Sequence, residues 1–233
     1  MKRLIALLVA SLCMLCTASA FADGEIEAQK ETAAVIELYG ENEYFYVAFI
    51  KNVSGDPVLV RDASLALYNA DGEELARTEY YREMGSYYLD PGEETVIMFE
   101  LPLDGLDPKG IAEKKVTYTT EKNAPYGKDT AYPVASAEYI KNTSDNVFAG
   151  DVMTAMVTNE QKEEASGIGV CMVLVDKDEY PLLVRTVDMY NVFLQPGSTV
   201  RLEEDAEREV VDYFVSQGKE PAGIKCYGFQ QAR

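Results

Sequence analysis

"IKNVSGDPVLVRDASLALYNADGEELA", residues 50–76, places one strand between two corners. The first corner is Ser54-Gly55-Asp56-Pro57, and the second is Ala70-Asp71-Gly72. Pro presets φ for a turn, and Asp-Gly supplies the positive φ that a tight hairpin needs. Between the corners Leu65 and Leu67 alternate with Ser64 and Ala66. That is the period-2 pattern of an antiparallel strand with one face in a core and the other wet.

The stretch recurs. An offset of 107 pairs Ala48 with Ala155, Ile50 with Val157, Asn52 with Asn159, Leu67 with Leu174, Asp71 with Asp178 and Leu75 with Leu182. "YLDPGEETV" (88–96) matches "FLQPGSTV" (193–200) at an offset of 105, slipping to 104 after the turn. "PKGI" (108–111) matches "PAGI" (221–224). The closer-looking pair "FIKNVS" (49–54) and "YIKNTS" (139–144) fails to extend.

β-branched and aromatic alternation predicts strands at 33–39, 44–52, 58–69, 74–82, 94–101 and 111–120. The second copy reads as 134–142, 147–158, 167–176, 180–188, 198–204 and 223–230. The fold class is therefore all-β: two tandem immunoglobulin-like antiparallel β-sandwiches. Their expected bounds are 23–120 and 133–233, with a linker at 121–132 carrying Pro125 and Gly127. The second module has one insertion, in which Val210, Val211, Phe214 and Val215 share a helical face. It predicts a helix at about 205–217, opened by Glu203, Glu204 and Asp205 and closed by Gly218, over one end of the sandwich.

"LALYNADG" (65–72), preceded by "IKNVSGDP" and followed by "LDPGEETV", resembles the FxLYD-type domain of secreted and lipid-anchored bacterial and archaeal proteins. Leu65, Leu67, Tyr68 and Asn69 stand at the motif positions, so the family's Phe and Asp are both replaced. In the second module the positions hold Met172, Leu174, Val175 and Asp176. The resemblance covers about half of each module, in core and turn residues. It implies the sandwich fold and a cell-envelope setting, and it brings no catalytic residues.

"MKRLIALLVASLCMLCTASAFA" (1–22) reads as a secretory signal peptide: Lys2 and Arg3, a short apolar run, then small residues before a cleavage site. The run is shorter than the roughly 20 apolar residues of a span, and no later stretch is apolar enough, so no membrane span is expected in the mature chain. The whole chain carries a formal charge of −19. Without the leader, 19 basic residues face 40 acidic ones, a net −21. Such a surface repels phosphate backbones and excludes nucleic acid as a partner. The expected location is extracellular or the cell envelope.

The chain has no His and no Trp. This removes His-based nucleophilic triads and the usual zinc sites, and no catalytic residue, metal ligand or cofactor is assigned. Cys171 and Cys226, the two cysteines outside the leader, stand in apolar strands and form the one possible disulfide. The acidic turns "NADGEE" (69–74) and "DKDE" (176–179) offer hard oxygens for Ca²⁺ but lack the EF-hand order. Turn chemistry is the preferred reading, since Asp71-Gly72 is already accounted for as the two central residues of a hairpin turn needing positive φ. Asn52-Val53-Ser54 and Asn142-Thr143-Ser144 match the glycosylation pattern and double as corner residues.

The candidate contact residues are Tyr80, Tyr81, Tyr87 and Tyr88, expected on one hairpin. On a strand one of each adjacent pair faces outward, as a binding patch or as simple cross-strand pairing. The expected function is a non-catalytic secreted binding or spacer protein, its partner an unknown protein or cell-wall glycan. The alternatives are a calcium-dependent structural or adhesive protein and, more remotely, a carboxylate-based hydrolase.

Overall fold

The computed structural model describes residues 25–122, 130–142 and 150–230. The predicted signal peptide lies outside the described residues, as does most of the predicted linker. In the first half the strands are β1 (Ile26–Leu38), β2 (Glu41–Asn52), β3 (Val58–Tyr68), β4 (Glu74–Thr78), β5 (Glu83–Met84), β6 (Tyr88–Leu89), β7 (Glu94–Pro102) and β8 (Glu113–Lys122). The second half has β9 (Thr130–Tyr132), β10 (Val134–Ile140), β11 (Asp151–Thr158), β12 (Ala165–Asp176), β13 (Pro181–Leu194), β14 (Thr199–Ala206), the helix α1 (Arg208–Ser216) and β15 (Pro221–Gln230).

The described chain is all-β with antiparallel pairing, in sandwich-type layers. An inner sheet β1-β2-β7-β5 of the first half lies on an outer sheet in which β3 pairs with β4, β6 and β8. The second half has an inner sheet β13-β12-β15-β9 and an outer sheet β10-β11-β14. Each sheet is built from one half only.

Both halves share the same corner. Asn52 is fully buried; its Nδ2 donates to the carbonyls of Asp56 and Leu89 at 2.8 and 3.0 Å. Its Oδ1 accepts from the Ser54 amide. Asn159 repeats the set, donating to Glu163 and Leu194 and accepting from the Gln161 amide. The second turn repeats too. Asn69 Oδ1 accepts from the amides of Asp71 and Glu73, and Asp176 Oδ1 accepts from those of Asp178 and Tyr180. At the left-handed position of this turn the first half has Gly72 (φ 81°) and the second has Glu179 (φ 62°). A side chain is strained there. Glu179 is held by Lys30 at 3.3 Å and Lys225 at 3.7 Å, and Lys30 also donates to the Asp178 carbonyl.

The expectation of one wet face per sheet fails at the inner sheets. Tyr44, Tyr46, Ala48 and Ile50 of β2 point into the first half's own core. Phe45, Val47 and Phe49 point the other way, into a core shared with β12, β13, β15 and α1. Val96 and Met98 of β7 join them. The run "YFYVAFI" (44–50) is therefore a strand buried on both faces. Each such side chain contributes about 1.5–3 kcal/mol on burial. The stack has four layers: outer, inner, inner, outer.

The helix is shorter than predicted and lies elsewhere. Val210, Val211 and Phe214 are buried, and Phe214 stacks edge-on against Phe45 of the first half at 5.9 Å. Instead of covering one end of its own sandwich, it joins the two halves. The residue before it, Glu207 at the N-cap, makes no side-chain cap; its carboxylate is engaged with Arg82 and Arg185, each at 2.7 Å.

Candidate functional site

The tyrosine segment is not a hairpin. After Thr78 the chain leaves the outer sheet, and β5 pairs with β7 in the inner sheet at Glu83↔Met98 and Met84↔Ile97. It then returns, and β6 pairs with β3 at Val58↔Leu89 and Leu59↔Tyr88. Gly85 permits the crossing, since a Cβ there would lie 2.5 Å from Thr95 Oγ1. The Ser86 amide donates to that same hydroxyl at 2.8 Å.

This path separates the four tyrosines. Tyr80 is 85% exposed and Tyr87 38%. Tyr81 turns inward, with ring centroids 6.5 Å from Phe99 and 6.1 Å from Tyr87. Tyr88 is half-buried on β6. Contact capacity thus rests on Tyr80 and Tyr87.

The crossing also interrupts the sheet beside β3. On that side β4 covers only Leu65 to Tyr68, and β6 covers Val58 and Leu59, with the Val60 amide donating to Tyr87 O. Residues 61–64 have a neighbour strand only in β8, through Asp62↔Thr119, Ala63↔Tyr118 and Ser64↔Thr117, with a bulge at Arg61. An open depression of about 440 Å³ lies over the face of β3 and β8 next to the gap, lined by Asp62, Ala63, Ser64, Glu79, Tyr80, Thr117 and Thr119. Ser64 Oγ and Thr117 Oγ1 are 2.6 Å apart on its floor. Sequence reasoning named Tyr80 but missed these neighbours. The available signal was the adjacent pair Arg61-Asp62, which breaks the alternation of "VLVRDASLAL" where the bulge falls.

A second polar cluster closes the junction between the halves. Arg82 bonds Glu100 of its own half and Glu207 of the other. Arg185, buried, donates from Nη1 to the Val184 carbonyl at 2.8 Å and from Nε to the Asp205 carbonyl. Burial raises the carboxyl of Glu83 above its ordinary range, against the pull of Thr186, Arg185 and Arg82. Burial also raises that of Glu43, with the nearby Glu100 adding to it. The sequence pattern did not single out Arg82, Glu83, Glu43 or Glu207, because they meet only when the two halves pack together.

Cys171 and Cys226 are both free. The register pairs Cys171 with Tyr227 and Met172 with Cys226, so the two thiols point to opposite faces of the sheet. The possible disulfide is thus corrected by strand alternation. Burial raises both thiols, Cys226 to about 12 and Cys171 further, which leaves them unreactive at neutral pH. In the acidic turns, Asn69 and Asp176 direct side-chain oxygens at turn amides. Among the described residues no group of three or more Cys, Asp or Glu side chains converges as a metal site would require. Asn52 of the first glycosylation pattern is buried and bonded.

The geometry defines a class: a two-part antiparallel β-sandwich protein with an interrupted outer sheet. No protein-family model matches the sequence, and no curated protein does. Among solved structures the chain is similar to a red sea bream transglutaminase at 10% identity and a TM-score of 0.25. The match takes in 88% of this chain and 29% of that one, and at that score it carries no argument. Among the described residues no helix is long and apolar enough to cross a membrane.

Proposed function

We propose that this chain is a non-catalytic secreted binding protein of the bacterial cell envelope, two divergent FxLYD-type modules fused into one body. Its contact surface is the sheet-crossing segment that presents Tyr80 and Tyr87. The observation that supports this most directly is Tyr80, 85% exposed at the rim of an open depression. An aromatic ring so placed adds nothing to the core and is the kind of group that anchors a contact. The conspicuous polar residues of the repeat, Asn52, Asn159, Asn69 and Asp176, direct their side chains at the backbone instead.

The test is the double variant Tyr80→Ser, Tyr87→Ser, assayed for capture by a cell-envelope fraction. Capture should fall several-fold while the melting temperature changes little. A large loss of stability with unchanged capture per folded molecule would overturn the reading.

A further inference from the structure

Tyr80 and Tyr87 stand on the same crossing segment as Arg82 and Glu83, so the contact surface and the junction between the halves are mechanically joined. We propose that the carboxylates of this junction form a proton-operated clasp. Proton uptake seats the crossing segment against the second half, and the seated segment holds Tyr80 and Tyr87 in binding position. The clasp needs only the junction; its effect on binding rests on Tyr80 and Tyr87 being contact residues.

Strand register brings the acids together. Phe45, Val47 and Met98 point into the shared core. Glu100 is paired with Phe45, Glu83 is paired with Met98, and Glu43 lies two residues before Phe45 on β2. Paired and alternate residues share a sheet face, so glutamates from β2, β7 and β5 lie on the face that meets the second half. Across it stands Glu207, before α1. These four carboxylates share the guanidiniums of Arg82 and Arg185: Arg82 bonds Glu100 and Glu207, and Arg185 bonds Glu207. Glu100 Oε1 and Glu207 Oε2 are buried and have no hydrogen-bond partner among the described residues. Around Glu83, β13 contributes Thr186 and Arg185, β14 contributes Glu204, and β12 contributes the Cys171 thiol, which burial keeps neutral. Glu41 adds its charge beside Glu43.

Burial and like charge disfavour the ionised forms here. Burial is the main cause that raises Glu83 and Glu43, and neighbouring carboxylates outlast the pull of the arginines. Lifting the segment from the junction exposes Glu83, uncovers Glu43 and returns both toward the ordinary carboxyl range. The seated state therefore binds the protons more tightly. Acidification favours seating, and the preference is lost as pH rises through the raised values. The segment is otherwise lightly held. β5 is two residues long, and the Arg82 and Gly85 amides donate to the Met98 and Val96 carbonyls at 2.8 and 3.1 Å. Short, sparsely bonded segments open well below global unfolding. Tyr81, two residues from Glu83, packs its ring against those of Phe99 and Tyr87, so seating carries through to the contact surface.

Hydrogen exchange on the full chain, corrected for the intrinsic effect of pH on the rates, tests the clasp. Between pH 5 and pH 8 the amides of residues 80–89 should lose several-fold protection, while those of β12 keep theirs. Capture by a cell-envelope fraction should fall in parallel. Glu43→Gln with Glu83→Gln, which matches the protonated pair in shape, should keep the segment protected and capture high at both pH values. Glu37→Gln with Glu160→Gln, which removes the same charge from exposed positions, should leave the wild-type dependence intact. An unchanged pH response in the junction pair, or its loss in the exposed pair, would overturn the proposal. Protection that follows pH while capture does not would overturn the coupling. If the segment is equally protected at both pH values while the tyrosine double variant loses capture, the clasp falls and the contact surface stands. If protection follows the junction carboxyls while that variant is captured normally, the contact reading falls and the clasp stands.

Discussion

Between Thr78 and Leu89 the first half crosses from one sheet to the other and back, through the short strands β5 and β6. At the matching place the second half runs β13 through fourteen residues within one sheet, paired with β12 from Pro181 to Met189 with one register shift and again at Phe193 and Leu194. The frame around the two segments is the same: a buried asparagine, a carbonyl-bonded corner and a Pro-Gly turn. The crossing leaves a gap beside β3 and delivers Arg82 and Glu83 to the junction. The longer strand makes no such crossing between sheets. A duplicated frame can hold its corners fixed while the segment between them differentiates, one copy toward exposure and the other toward cover.

The sharpest way to break this comparison is to attack the surface the halves share. Phe49 lies in the common core with Lys225 Nζ 4.7 Å from its ring centroid. Phe49→Ala should cost about 3–5 kcal/mol in urea unfolding, with both halves lost in a single transition. Two separated transitions with the second half unaffected would mean that the halves are independent beads.

The corner asparagines come next. Asn52→Ala leaves the carbonyls of Asp56 and Leu89 without their donor, and Asn159→Ala does the same to Glu163 and Leu194. Each should cost about 2–4 kcal/mol, and the two costs should agree closely. A cost at one corner only would show that the repeated bonds differ in weight.

The smallest effect concerns pH and sharpens the contrast at the crossing. Glu83 and Glu43 have carboxyls raised above the ordinary value of 4.5. The folded state therefore binds their protons more tightly than the unfolded state does. Their contribution is fully present below pH 4.5 and is lost as pH rises through the folded values. Carboxylates held by a hydrogen bond or ion pair work in the opposite sense. Glu25 is lowered by Thr120, Glu74 by Arg77 and Glu179 by Lys30. The difference between the wild-type and Glu83→Gln profiles isolates the junction. In melts from pH 8 to pH 5, Glu83→Gln should remove part of the gain seen on acidification. Parallel profiles would show that Glu83 carries no linkage.

The corners and turns were legible because their chemistry is local. Asn52 and Asn159, Asp71-Gly72 and the two Pro-Gly turns act largely on residues a few positions away, so spacing reveals them, while the bonds from Asn52 to Leu89 and from Asn159 to Leu194 close over longer stretches. The shared core was not read, although a trace of it stood in the sequence. "YFYVAFI" and "GVCMVLV" are continuous apolar runs where a one-sided strand would alternate. The crossing was hidden for another reason. "EYYREMGSYYL" has the aromatic content of a hairpin, and its switch of sheets depends on Gly85 meeting Thr95 across the fold, a contact without local signal. The depression followed from that switch, so Tyr80 could be named from sequence while Asp62, Glu79 and Thr119 could not.

The doubly buried strand β2 also constrains the order of events during synthesis. The first half can close its own core once β8 has emerged, but Phe45, Val47, Phe49, Val96 and Met98 then face water. Their cover includes β15, which ends at Gln230. At about 5–20 residues per second the interval is roughly 5–20 s. Throughout it the nascent chain displays an apolar sheet face, a target for any chaperone that recognises one. The risk of mispairing therefore depends on how promptly the second half follows the first.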